Sequence, residues 1–126
     1  MNRTRILIQA SAIAALAGTF MGSHMAGSMN YALRPIHAHV LVVGWLSLFA
    51  FGAFYKLFNI PKTSKLANAQ AITGIIGAFG LPIGMYIDLM NDTALTTAIY
   101  IGGGVFLLIS FILFALITFV FRKELT

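Results

Sequence analysis

The chain has 126 residues, of which 60% are hydrophobic and only 9% charged, with a strongly positive mean hydropathy. Soluble domains are roughly 25% charged, so this composition belongs to a chain whose solvent is lipid. With no cysteine, disulfides, thiolate metal sites and cysteine nucleophiles are excluded. The formal charge of +5 does not indicate nucleic acid, because the basic residues stand singly or in pairs at the ends of apolar runs, where they act as a topology signal.

Four apolar runs are predicted as spanning helices, over about residues 5–22, 36–58, 66–88 and 94–121. None carries a charge near its middle, where insertion would cost about 2.5–3.5 kcal/mol. The expected fold is all-α: an integral membrane four-helix bundle forming a single domain over 1–126. The alternating short segments of a transmembrane barrel are missing.

The first run, with Arg3 and Arg5 before it and Ala15-Leu16-Ala17 within it, imitates a secretory signal and cleavage site. Phe20 and Met21 continue the apolar stretch past that point, so the segment is expected to remain as a spanning helix.

The second run opens on Arg34-Pro-Ile-His-Ala-His39. Pro35 suits a first helical turn, since its fixed φ matches the helix and its missing N–H would have been an orphan there. His37 then sits in that turn, where the helix dipole disfavours imidazolium and keeps a lone pair free for a metal. With 3.6 residues per turn, His37 and His39 point about 200° apart and cannot readily chelate one ion together. His37 and Gly44 share a stripe with Val40, Leu48, Phe51 and Tyr55. The gap at Gly44 is open to a flat cofactor or to a neighbouring helix.

On the third run Gly74, Gly77, Gly80 and Gly84, on the second Gly44 and Gly52, and on the fourth Gly102, Gly103 and Gly104 mark expected close approaches of backbone. Pro82 is expected to kink the third helix. Tyr31, Tyr86 and Tyr100 near one boundary and Tyr55 near the other fit interfacial belts.

Orientation follows from the basic residues. With the N-terminus inside, Arg3, Arg5, Lys56, Lys62, Lys65, Arg122 and Lys123 lie on the inner side and only Arg34 outside, so both termini are expected to be cytoplasmic. His24, His37 and His39 all fall at the outer side. Nothing titratable is expected to face the inner half of the bundle. Met21, Met25, Met29, Met85 and Met90 also cluster outside, and thioether with imidazole is a ligand set that favours Cu(I), which gives a copper-handling alternative.

The stretch Arg34-Pro-Ile-His-Ala-His-Val-Leu-Val-Val-Gly-Trp45, continuing through Phe51-Gly-Ala-Phe-Tyr55 to Pro61, resembles the first-to-second helix region of haem-copper oxidase subunit I, nearest its nitric oxide reductase branch. It is also similar to small four-helix bacterial membrane proteins with a His-Ala-His, Gly-Trp and Gly-x-x-Tyr pattern. The resemblance covers about residues 30–61 and implies haem b near the outer leaflet of a bacterial inner membrane. It makes His37 the best match to an axial ligand, with His39 the alternative for that role, and places Gly44 and Trp45 in the motif. The second axial ligand would come from His24, His39, a methionine or another copy of the chain in a homo-oligomer. Arg34 could pair a haem propionate. Leu41 departs from the pattern, which often has asparagine there. No histidine follows His39, so the later ligands of a complete oxidase or reductase are absent.

The implied roles are electron transfer, gas sensing or support of a respiratory complex. The alternative is a cofactor-free structural or assembly subunit. No P-loop, dinucleotide fingerprint or nucleophile-base-acid set is present, so an enzyme is not expected.

Overall fold

The computed structural model describes all residues, 1–126, and contains only helices and short connections. The four spans are α1 (Arg3–Ser28), α2 (Arg34–Leu57), α3 (Lys65–Met90) and α4 (Ala94–Val120), each long and apolar enough to cross a membrane. A short 3₁₀ turn, Arg122–Leu125, follows. At 1.5 Å per residue the 26 residues of α1 reach roughly 39 Å, longer than the ~30 Å hydrocarbon core, so its ends extend into the interfaces.

Each helix begins where the local sequence can satisfy its free N–H groups. The Asn2 side chain accepts from the Arg5 amide, and that of Ser64 from Ala67. Thr93 and Thr96 form a reciprocal capping box at the start of α4. Pro35 occupies the first turn of α2. The first helix runs six residues beyond its expected end, through Ser23 and His24 to Ser28. It closes on Met29, the chain's one non-glycine residue at positive φ, 55°.

α3 and α4 pack antiparallel along a seam of small residues. The Gly77 Cα lies so close to the Leu107 backbone, and that of Gly84 to the Tyr100 backbone, that an added Cβ would stand 2.5–2.6 Å from the other chain segment. Further along, Gly80 meets Gly103 and Gly74 meets Ser110. The buried residues of α4, Thr96, Gly103, Ser110 and Ile117, recur every seven positions, the repeat of a left-handed helix pair. Of the three consecutive glycines only Gly103 makes a close backbone approach. Gly102 has open space where a Cβ would be, and Gly104 makes an ordinary contact with Leu81.

α1 and α2 pair in the same manner, Gly52 against Leu7 and Ile8, Gly44 against Ala14, and Gly18 against Leu41. The centre of α2 departs from the expected regular helix: Val40–Ser47 is π-helical, and the Ser47 hydroxyl donates to the Val42 carbonyl five residues back, at 2.9 Å. Such runs are rare.

The pairs meet along α2, whose outer turns and π-helical centre approach α3, and in the inner half Phe51 and Phe54 of α2 stack against Phe111 and Phe114 of α4 with centroids 4.8–5.3 Å apart. In the outer half a cavity of about 420 Å³ remains between α1, α2 and α3, lined by Ala14, Met21, Val40, Phe79, Pro82 and others. α3 continues through Pro82 without a break.

Candidate functional site

The outer histidines were the expected site, and the structure disperses them. His37 is half-buried, with Nδ1 2.9 Å from the Gly18 carbonyl of α1. A carbonyl can only accept, so Nδ1 carries the proton. The ring edge rests on Gly22, where an added Cβ would be 2.9 Å from Cε1 and 3.5 Å from Nε2. His37 is thus seated in the Gly18-x-x-x-Gly22 groove of α1. His39 bonds within its own turn, Nδ1 to the Pro35 carbonyl at 2.8 Å. His24 is exposed on the far end of α1.

Gly44 leaves no slot for a cofactor: its space is taken by the Ala14 side chain, 2.7 Å from an ideal Cβ. Trp45 is exposed toward the lipid side, and Arg34 is exposed, its guanidinium 5.2 Å from the Tyr31 ring centroid. Asp88 lies 2.9 Å from both the Thr96 and Thr97 hydroxyls, closing the connection between α3 and α4.

These placements correct the haem and copper readings. No group of three or more His, Cys, Asp or Glu side chains is close enough to hold a metal ion, and the chain has no cysteine. Haem b on His37 or His39, with Gly44 as its cleft, is overturned because no cluster of ligating side chains forms and the Ala14 side chain of α1 fills that cleft. No histidine lines the cavity between α1, α2 and α3, and His39 is the one ligating side chain of a second recess, of about 220 Å³, that it lines with Ala38, Val42 and Val43. Copper held by His37, His39 and the outer methionines fails similarly. Met25 is buried at 5% exposure while Met29 and Met90 are 73% and 68% exposed, so the thioethers share no common environment with the rings.

The inner half, expected to be free of titratable groups, holds the most developed polar arrangement. Arg3 is buried among the residues connecting α2 and α3. Its Nη1 donates to the Lys62 carbonyl at 3.2 Å and to Asn68 Oδ1 at 2.6 Å. Its Nη2 donates to the Ile60 and Pro61 carbonyls at 3.1 and 2.9 Å. The guanidinium carbon lies 4.8 Å from the Tyr55 ring centroid. Tyr55 is buried, so it leaves the interfacial belt assigned to it, and its hydroxyl donates to Gln70 Oε1 at 2.8 Å. Gln70 Nε2 donates in turn to Ser110 Oγ at 3.1 Å, and Ser110 returns its proton to the Gln70 carbonyl at 3.0 Å.

Arg3, Tyr55, Gln70 and Ser110 come from α1, α2, α3 and α4 respectively, so this chain of contacts crosses the whole bundle. In an environment without water each of these groups would carry a heavy desolvation penalty if unpaired. A sequence signal for part of it existed: Gln70 and Ser110 interrupt otherwise apolar runs, and polar side chains inside spans are expected to bond across helices.

No protein-family model, no curated protein and no solved structure matches this chain. The resemblance to haem-copper oxidase subunit I therefore remains a likeness of short motifs, and what stands is a highly apolar four-helix membrane bundle.

Proposed function

We propose that this chain is a cofactor-free structural or assembly subunit of the membrane, supplying packing and position to neighbouring chains. The supporting observation is how its interior polar groups are used. His37 bonds to the α1 backbone, and the Arg3, Tyr55, Gln70 and Ser110 contacts hold helix to helix. These interior polar side chains thus serve the chain's own packing, and neighbours within the bilayer meet shape and apolar surface. α4 offers the most of it: outside its narrow seven-residue seam, Leu108, Ile112, Leu116 and Phe119 are exposed.

The bilayer is the bacterial inner membrane, with both termini cytoplasmic, an orientation supported by the seven basic residues on that side. The assembly contains a second copy of this chain or a larger respiratory complex. No catalytic role is assigned, in keeping with the missing enzyme motifs.

Native electrophoresis of membranes solubilised in mild detergent tests this reading, combined with photo-crosslinkers placed at Leu108 and Leu116. The expected result is a discrete species larger than one chain, with crosslinks from α4 to a single neighbour whose mass identifies it as a copy or another subunit. A monodisperse single chain without crosslinks from either position would overturn the proposal.

A further inference from the structure

The inner mouth of the bundle holds a recess that the packing does not explain. Between the first turn of α1 and the inner end of α2 lies a cavity of about 150 Å³ whose lining includes Met1, Arg3, Asn59 and Ile60. It adjoins a wider, more open one of about 440 Å³ that includes Arg5. Asn2, Thr4, Tyr55, Lys56 and Lys62 line both.

Arg3, Arg5, Lys56 and Lys62 therefore gather around one space, and no carboxylate lines either part. Like charges collected at the edge of a low-dielectric body repel one another unless an anion joins them. Arg3 carries a second indication. All four N–H bonds of its Nη atoms have acceptors, yet Nε is buried with no partner in a residue only 4% exposed. The N-terminus of α1 opens on the same mouth, adding free amide donors and the positive end of a 26-residue helix dipole.

We propose that this recess binds a phosphate-bearing anion, for which the headgroup of an anionic phospholipid in the inner leaflet is the source best placed to reach it. Lys56, Lys62 and Arg5 are exposed and free to fold over the phosphate, with Thr4 and Asn2 as neutral donors. The cytoplasmic leaflet carries the anionic lipids, and basic pockets at that side of helix bundles suit their headgroups. The site does not depend on the chain being an assembly subunit: it can bind its anion in a solitary copy.

The test follows thermal unfolding of the full-length chain in zwitterionic nanodiscs. Phosphatidylglycerol is added in one arm and inorganic phosphate in the other, with sodium chloride matching ionic strength. Wild type is compared with Lys56→Gln/Lys62→Gln, and with Arg122→Gln/Lys123→Gln, which removes the same charge from the inner side outside the recess. Helical content by circular dichroism establishes folding first. Should the recess double variant not fold, single Lys56→Gln and Arg5→Gln variants carry the comparison.

The midpoint is expected to rise with the anion in wild type and in Arg122→Gln/Lys123→Gln, with apparent affinity about tenfold weaker in Lys56→Gln/Lys62→Gln, equivalent to about 1.4 kcal/mol. A response to phosphatidylglycerol alone identifies the lipid headgroup, and an equal response to inorganic phosphate identifies a free anion. Equal weakening in both double variants, or no response beyond that to sodium chloride, would overturn the site.

Discussion

At Gly77 a single methyl group decides whether α3 and α4 can stand as close as they do. The neighbour of that methyl would be the Leu107 backbone, which cannot swing aside as a flexible side chain can. Gly77→Ala is expected to destabilise the bundle by about 1–3 kcal/mol through overpacking. Gly102→Ala, with open space around it, is expected to be neutral or stabilising by up to about 1 kcal/mol through helix propensity. Unfolding of both variants in mixed micelles with increasing denaturing detergent checks the contrast. Met29 supplies a prediction of the opposite sign. It holds a left-handed conformation with a 73% exposed side chain, so Met29→Gly is expected to raise stability by about 1–2 kcal/mol in the same measurement. Glycine as a marker of contact was legible in the sequence. Which of Gly102, Gly103 and Gly104 faces α3 was not, because that depends on a helix rotation fixed by the partner.

The helices themselves were legible because each is an uninterrupted apolar run and the bilayer permits few other solutions. Their relative rotation was less so. The π-helical run Val40–Ser47 has no signature in its apolar residues, and it breaks the regular stripe that would have set His37 directly above Gly44. In the sequence Arg3 is a topology marker like its neighbour Arg5, because a basic residue at the end of an apolar run ordinarily meets headgroups. Its acceptors are backbone carbonyls of the connection between α2 and α3, and a carbonyl has no residue-type signal. Arg3→Gln is expected to cost about 1.5–3 kcal/mol, the range for hydrogen bonds to a charged group, and to speed amide hydrogen exchange over residues 58–64. Gln70→Leu removes the link between Tyr55 and Ser110 and is expected to cost about 1–2 kcal/mol. If exchange in that connection were unchanged by Arg3→Gln, the guanidinium would not be the clamp its geometry describes.

Across the whole molecule two helix pairs, each closed by small residues, are tied together at the inner end by aromatic stacking and the contacts from Arg3 to Ser110, while at the outer end α2 still meets α3 and a cavity lies between them and α1. The candidate site was misread at this scale. Three histidines near one boundary in the sequence form a site only if the helices bring them together around a space, and here α1 occupies that space. The optical spectrum of the detergent-purified chain, oxidised and then reduced, tests this most directly, after expression with added haem precursor and copper and with haemochrome and metal analysis on the same sample. A bundle whose polar groups serve its own packing predicts no haem absorption and no stoichiometric copper, with His37→Ala lowering only the unfolding midpoint, by about 1 kcal/mol. Stoichiometric haem or copper that is lost in His37→Ala would contradict it.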